Sequence, residues 1–267
     1  MGIAGAAIAT VGVACVISIC YMLRLYFEFK RLGISKQKLY FDKKEISKAW
    51  KQGVPGMIQQ AVLYFSAVCV QPSINILGSL AIAGYSVCTQ IYNINTAIFY
   101  NSSKSINHFC AQCVGGKKPD LVPKGFNIGL RQSVLLTIPI MLCLIIFSDQ
   151  IVNLFFSDAS AESIGYVKTY IYMCVPFVLC QVMNNLFHNF FRGVLMPQIG
   201  LFTTFVYSVV RIIATYSLVP FFHMNGVFFG LIISWVAEML VCLYIYYGNK
   251  WKSEWYLNLE RECKYAK

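Results

Sequence analysis

Residues 226–247 read GVFFGLIISWVAEMLVCLYIYY, an apolar run long enough to cross a bilayer as one helix, with Glu238 as its single charged residue. The remaining sequence has the same character, since 58% of the 267 residues are hydrophobic and 12% are charged. A soluble domain carries about 25% charged residues. The chain therefore lacks the charged coat that a soluble protein or a nucleic-acid-binding surface requires. We expect a membrane protein that binds no nucleic acid.

Seven stretches have the length and apolarity of a membrane-spanning helix, and the third of them is the most polar. The predicted fold class is therefore all-α: a polytopic helical membrane protein with seven transmembrane helices. The predicted spans are residues 3–23, 54–77, 81–103, 128–148, 165–187, 198–220 and 226–247.

The net charge of +11 is concentrated in alternate loops. Of the 22 Lys and Arg, nine lie in residues 24–51, five in 104–131 and five in 250–267, with Arg192 in the short link between them. The remaining two are Lys168 and Arg211. Because Lys and Arg accumulate in cytoplasmic loops, this distribution predicts an N-terminus outside and a C-terminus in the cytoplasm of a multi-pass cell-membrane protein.

Four predicted spans carry polar side chains at helical spacing, so that each span has a polar stripe on one face. We take the stripes of the second, third and fifth spans as the predicted lining of a substrate cavity. That lining consists of Gln60, Tyr64, Gln71, Asn75, Tyr85, Thr89, Tyr92, Gln181, Asn184 and Asn185. The sixth span aligns Thr204, Ser208, Arg211 and Thr215.

Polar side chains in hydrocarbon need partners or water, and two explanations of the stripes remain open. They either hydrogen-bond between packed helices or line a water-filled cavity. Amides and aromatic rings with few fixed charges favour amphipathic or cationic organic molecules over small inorganic ions as the occupant of such a cavity.

Two ionisable residues lie deep in predicted spans, Arg211 and Glu238. Their depths differ by only about 4–5 Å at the helical rise, and consecutive helices are usually neighbours, so an ion pair between them is feasible. The pair would lock two helices, or the carboxylate would change its proton or cation occupancy during transport. His188, near the end of its span, is a further titrating candidate.

The segment 28–52 is predicted to be a basic cytoplasmic linker that contains a short amphipathic helix lying on the membrane surface. Asp42 is positioned to cap this helix, with Glu45 three residues further on. Residues 250–267 form a basic cytoplasmic tail.

We expect neither a metal site nor catalytic residues. Cys110 and Cys113 form a CxxC motif that no second pair or nearby His completes. No nucleophile–base pair and no phosphate-binding loop occurs in the sequence, so the protein is not expected to be an enzyme.

Several motifs resemble the multidrug and toxic compound extrusion (MATE) family. The family's seventh and eighth helices are similar to three stretches of this chain, Gly53-Val-Pro-Gly56, Val70–Gly78 and Ile82–Tyr85. Phe109–Gly116 resembles the segment after the eighth helix, with Cys113 in place of the usual Asn and Gly116 in place of Ala. Arg192-Gly193, Val210-Arg211-Ile212 and Gly248–Trp251 also match.

The resemblance implies a domain organisation. Family members have twelve helices in two six-helix lobes with both termini cytoplasmic. On that basis residues 1–27 correspond to the sixth helix, residues 53–249 to a complete second lobe, and the first five helices are missing. The missing N-terminal lobe and the bilayer are then the expected partners of the chain.

The resemblance also implies a function, the export of drugs or organic cations in exchange for H⁺ or Na⁺ as coupling ion. Some members use an acidic residue in the seventh helix, where this chain has Leu63, and others use an Asp in the first helix, which this chain does not contain. Glu238 is a candidate substitute.

The alternative function is a lipid-linked saccharide flippase of the same superfamily. Such flippases usually grip pyrophosphate with cationic cavity residues, and here Arg211 is the one basic residue deep in a span. A seven-helix receptor or rhodopsin is disfavoured, because the last span has no Lys for a retinal Schiff base.

Overall fold

A computed structural model describes residues 2–31, 33, 42–155, 161–253 and 256–258. Two compact units are present, Met1–Ser47 and Lys48–Lys267. Within the described ranges the protein is helical, which confirms the predicted all-α class. The helices are α1 (Gly2–Arg31), α2 (Lys43–Asn75), α3 (Ser79–Gly115), α4 (Leu121–Ile146), α5 (Ser148–Phe155), α6 (Ala161–Cys174), α7 (Val178–Gly193), α8 (Pro197–Phe222) and α9 (Met224–Tyr247).

Four of the predicted spans, 3–23, 81–103, 198–220 and 226–247, each lie within one helix. Spans 54–77 and 128–148 extend two residues beyond the ends of α2 and α4, and 165–187 covers parts of α6 and α7. Six helical segments of the described chain are long and apolar enough to cross a membrane: α1, α2, α4, α6 with α7, α8, and α9. Helix α3 falls below that apolarity because Asn, Ser and Thr recur along it. The count of seven spans and the orientation of the termini therefore stay predictions.

Helix α2 begins where the capping residue predicts, because the Asp42 carboxylate accepts a hydrogen bond from the Lys44 amide at 2.8 Å. The helix then continues without a break through Gly53 and Pro55 to Asn75. The residues of the predicted short linker helix that the structure describes form the first turns of α2. Proline is tolerated inside a long membrane helix when neighbouring groups satisfy the backbone. Linker residues 34–41 and tail residues 259–267 lie outside the described part.

Helix α7 packs against α3, α4, α8 and α9 and occupies the centre of the larger unit. Its buried aromatic face is held by ring contacts, with Phe190 4.8 Å from Phe126 and 4.9 Å from Trp251 between ring centroids. A 3-10 turn at Val175–Phe177 separates α7 from α6. Pro176 lies in this turn, where its missing N–H interrupts the regular helix.

Helices α8 and α9 form a tightly packed antiparallel pair. Two glycines of α9 permit the close approach: a Cβ at Gly226 would lie 2.6 Å from the Leu218 backbone, and one at Gly230 would lie 2.4 Å from Thr215 Oγ1. The pairing fixes the positions of the buried Arg211 on α8 and Glu238 on α9.

Candidate functional site

A cavity of about 550 Å³ lies in the larger unit. This volume is within the range that accommodates a drug-sized ligand. Helices α2, α3, α6, α7, α8 and α9 contribute to its wall. The lining residues are Gln60, Leu63, Tyr64, Ala67, Tyr85, Cys88, Thr89, Tyr92, Asn93, Thr96, Tyr100, Tyr170, Gln181, Asn185, Tyr207, Arg211, Leu231 and Trp235.

Helix α3 contributes the longest part of the wall. Tyr85, Thr89, Tyr92 and Thr96 follow one another at intervals of three or four residues, and all four line the cavity. The Thr89 and Thr96 hydroxyls donate to the backbone carbonyls of Tyr85 and Tyr92, so α3 satisfies these donors internally. The polar stripe predicted for the third span therefore lies on the cavity side.

Amides and aromatic rings are joined in the wall. Gln181 Nε2 on α7 donates to Tyr92 Oη at 3.1 Å, and Gln60 Nε2 on α2 donates to Tyr100 Oη at 3.3 Å. The rings of Tyr92 and Trp235 are stacked, with centroids 6.0 Å apart and an interplanar angle of 12°. These contacts produce an amphipathic wall of flat rings edged by hydrogen-bonding groups.

The structure brings most of the predicted lining residues to this one cavity. The predicted residues that lie in its wall are Gln60, Tyr64, Tyr85, Thr89, Tyr92, Gln181 and Asn185.

The other three predicted lining residues lie elsewhere. Gln71 and Asn75 hydrogen-bond to each other at 3.0 Å on α2, beyond Ala67, the last residue that α2 contributes to the cavity. Asn184 is buried and donates to the Trp235 carbonyl at 3.0 Å, so it joins α7 to α9. A helical wheel gives the direction of a side chain but neither its depth nor its partner, which explains why these three residues lie outside the wall of this cavity.

Arg211 is the one charged residue in the cavity wall of the described chain, and it is 7% exposed. Its Nη1 donates to Tyr207 Oη at 3.3 Å and its Nη2 donates to Tyr85 Oη at 3.4 Å. Its Nε is buried without a hydrogen-bond partner. Both hydrogen bonds are long, so the guanidinium retains unused donor capacity.

Glu238 does not pair with Arg211, contrary to the pair that the sequence made feasible. Its carboxylate Oε1 lies 3.0 Å from His188 Nε2, between α9 and α7. This distance is that of an ion pair whenever His188 is protonated, although the atoms are not aligned as a hydrogen bond. His188 Nε2 also lies 3.1 Å from Thr203 Oγ1 on α8. The described residues include no group of three His, Cys, Asp or Glu arranged to hold a metal ion.

Sequence reasoning missed a polar network on the opposite face of α2 from Tyr64. Gln59 is 2% exposed and donates to the Gly200 carbonyl at 3.2 Å and to Thr204 Oγ1 at 2.8 Å. Its Oε1 accepts a hydrogen bond from Arg192 Nη2. The buried residues Gln59, Ser66, Val70 and Ser73 recur at helical spacing, which is a signal that the sequence did contain.

The fold and the site define the class of protein: a helical membrane protein with an amphipathic cavity. A family model described as MatE matches residues 55–217, and the chain belongs to this family. Members of this family are multi-pass membrane transporters and not enzymes. The chain is 24% identical over 171 residues to a Bacillus subtilis (strain 168) protein named "Probable multidrug resistance protein YoeA".

Solved structures share the fold at low sequence identity. A MATE in a straight conformation superimposes with a TM-score of 0.75 at 12% identity and covers 87% of this chain and 54% of its own. An outward-facing multidrug resistance MATE transporter of the MOP superfamily gives 0.72 at 15% identity, covering 76% of this chain and 45% of its own. A MOP superfamily transporter from Pyrococcus furiosus, described as having a binding pocket of reverse polarity, gives 0.70 at 16%, covering 74% and 44%.

These relatives are longer than the chain. The Bacillus subtilis alignment covers 62% of this chain and 36% of the relative. The chain therefore spans about half of the matched structures or less, and about a third of the curated relative.

Proposed function

We propose that the protein exports amphipathic organic molecules, drugs among them, across the cell membrane in exchange for H⁺ or Na⁺. The observation that carries the proposal is the cavity of about 550 Å³, whose wall combines stacked rings with amide groups in a chain of the MatE family. Such a wall binds flat apolar bodies and leaves hydrogen-bonding groups at their edges. The multidrug resistance name of the Bacillus subtilis relative supports this substrate class.

The proposed arrangement in the membrane follows the charge distribution. Most of the Lys and Arg lie in residues 24–51, 104–131 and 250–267. We propose that these segments lie in the cytoplasm, because positive residues accumulate there. Residues 53–249 act as the second of two lobes, and the partner of this lobe is a first lobe of the same family type. The share of the relatives that this chain covers supports that organisation.

The charge of the wall bears on the substrate. Tyrosine rings attract organic cations, but the described lining contains no carboxylate to neutralise a cation. It contains instead the guanidinium of Arg211, which repels one. We therefore propose amphipathic character, rather than positive charge, as the property that substrates share.

Ion coupling has few candidate groups in this lobe. Leu63 lies in the cavity wall at the place of the seventh-helix acid of some family members, so no carboxylate is provided there. Glu238 and Arg211 are the two charged residues among the buried residues of the described chain. Glu238, together with His188, is accordingly the group that we propose for ion binding within this lobe.

The flippase alternative is less well supported by the wall. A pyrophosphate carries several negative charges and is usually held by several basic side chains. The described wall supplies one, Arg211.

The proposal is tested by expressing the complete gene product that contains this chain in cells that lack their own drug pumps. Accumulation of ethidium, of a neutral dye and of an anionic dye is measured with and without a protonophore or a sodium ionophore. We expect lower accumulation of at least one dye, reversed by one of the ionophores. Equal accumulation of all three dyes with and without the protein would overturn the proposal.

A further inference from the structure

The wall of the cavity contains a buried cation with unused hydrogen-bonding capacity. Arg211 is 7% exposed, lines the cavity and makes two long hydrogen bonds to tyrosine hydroxyls. Its Nε has no partner in the structure. A guanidinium has five N–H donors, so a site with two weak acceptors leaves it under-satisfied.

No acidic side chain of the described chain neutralises this cation. The wall contains no Asp or Glu, and Glu238 contacts His188 instead. Burying an unpaired charge is unfavourable, and charged residues inside membrane proteins usually mark a substrate or ion pathway. The cavity is therefore complementary to a negative group.

We propose that Arg211, Tyr85 and Tyr207 form a subsite that binds an anionic group, such as a carboxylate, sulfonate or phosphate, on an amphipathic molecule. The planar guanidinium fits the two oxygens of such a group, and the tyrosine hydroxyls are able to donate to it. The stacked rings of Tyr92 and Trp235 line the same cavity and provide an apolar surface for the rest of the molecule. This inference rests on the proposed function, because it specifies the class of exported substrate.

An anionic group on an apolar body occurs both in small organic acids and in the headgroups of anionic lipids. The shared chemistry is the negative group that accepts hydrogen bonds from Arg211. The two sources are separated by measuring binding in bilayers of different lipid composition.

The experiment uses the complete gene product in nanodiscs of phosphatidylcholine. Three probes share a pyrene-butyl body and differ in the head, which is a carboxylate, a carboxamide or a trimethylammonium group. Binding is measured by equilibrium dialysis, with empty nanodiscs subtracted for partition into lipid. The variants are R211Q, which removes the charge, R211K, which keeps the charge without the planar fork, and R131Q on the exposed face of α4 as the matched control.

We expect the carboxylate probe to bind most tightly to the unmodified protein. R211Q should weaken it roughly ten- to a hundredfold, the range for a hydrogen bond to a charged group. R211K should weaken it less, and R131Q should leave it unchanged. The carboxamide probe should bind R211Q as well as before, which shows that the variant is folded.

Tightest binding of the trimethylammonium probe, or carboxylate binding that R211Q leaves intact, would overturn the proposal. Carboxylate binding that is lost when phosphatidylglycerol replaces part of the phosphatidylcholine would assign the subsite to anionic lipid. Export of the same probes from cells is measured in parallel. Export of none of them contradicts the proposed function, whereas export of the cation alone contradicts only the subsite.

Discussion

The Glu238 carboxylate lies 3.0 Å from His188 Nε2, and this contact joins α9 to α7 in the buried interior. The same nitrogen lies 3.1 Å from Thr203 Oγ1, so three helices meet there. Removing one partner of a buried pair is costly because the other is left uncompensated, typically by about 3–5 kcal/mol. We expect Glu238→Ala to lower the thermal unfolding temperature clearly and Glu238→Gln, which keeps the shape, to lower it less.

Asp149→Asn is the matched control, because it breaks a pair with Lys168 whose side chains are 67% and 42% exposed. Exposed pairs stabilise little, so its unfolding temperature should stay unchanged. Unfolding is followed by size-exclusion chromatography after heating in detergent. An unchanged unfolding temperature for Glu238→Ala would contradict the structural role. If Glu238→Gln then also lost the dependence of transport on the ion gradient, the pair would be assigned to coupling.

Gln59 provides a second prediction, because this amide joins α2 to α7 and α8. Gln59→Leu removes the donor to Thr204 and the acceptor of Arg192, and leaves Arg192 without that partner. Loss of such buried hydrogen bonds costs roughly 1–3 kcal/mol per unsatisfied group. We expect faster amide hydrogen exchange along α2 and a lower unfolding temperature.

Gln52→Leu is the control for this change. Gln52 is exposed and makes one long hydrogen bond, 3.5 Å to the Leu195 carbonyl. Surface substitutions of this kind usually change stability by less than about 0.5 kcal/mol. Equal exchange rates along α2 in the two variants would show that the buried network does not hold the helix.

Tyr92 provides a third prediction, this time on binding. Tyr92→Phe removes the hydrogen bond from Gln181 but keeps the ring stacked on Trp235, whereas Tyr92→Ala removes both. Aromatic pairs contribute about 0.5–1.5 kcal/mol beyond area burial. We therefore expect Tyr92→Ala to weaken binding of a pyrene-bearing probe severalfold more than Tyr92→Phe.

Tyr172→Ala serves as the matched control, because Tyr172 is 55% exposed and lies outside the cavity wall. Its binding of the probe should equal that of the unmodified protein. Equal weakening of probe binding by Tyr92→Phe and Tyr92→Ala would contradict this prediction.

The sequence predicts which side chains share one face of a helix, because the helical period alone determines this. Tyr85, Thr89 and Tyr92 share one face of α3 by spacing alone, and they do line the cavity. The sequence did not predict the depth of a side chain in the membrane or its hydrogen-bond partner. Gln71 has a suitable direction but lies beyond the cavity wall, and its amide is satisfied by Asn75.

Contacts between helices that are not consecutive also escaped prediction. Arg211 and Glu238 are predicted at similar depths on consecutive helices, yet Glu238 on α9 contacts His188 on α7, two helices earlier in the chain. Gln59 and Gln60 differ by about 100° around α2, so one faces the buried network and the other the cavity. Only the tertiary packing determines which neighbouring helix or cavity each of these side chains faces.

Two glycines near the beginning of their helices, Gly226 and Gly165, are expected to respond to alanine with opposite sign. A Cβ at Gly226 would lie 2.6 Å from the Leu218 carbonyl carbon and 2.7 Å from the Val219 nitrogen, so α8 and α9 would have to separate. Overpacking of this kind costs about 1–3 kcal/mol. At Gly165 on α6 nothing lies within 4 Å of the added carbon.

Gly165→Ala should therefore raise the unfolding temperature slightly, since alanine is favoured over glycine in a helix by about 1 kcal/mol. Gly226→Ala should lower it and should also disturb carboxylate binding, because Arg211 is positioned by the same helix pair. If the two variants unfold at the same temperature, the close approach of α8 and α9 does not limit stability. If Gly226→Ala loses stability but binds the probe normally, the subsite is held by the tyrosines rather than by the helix pairing.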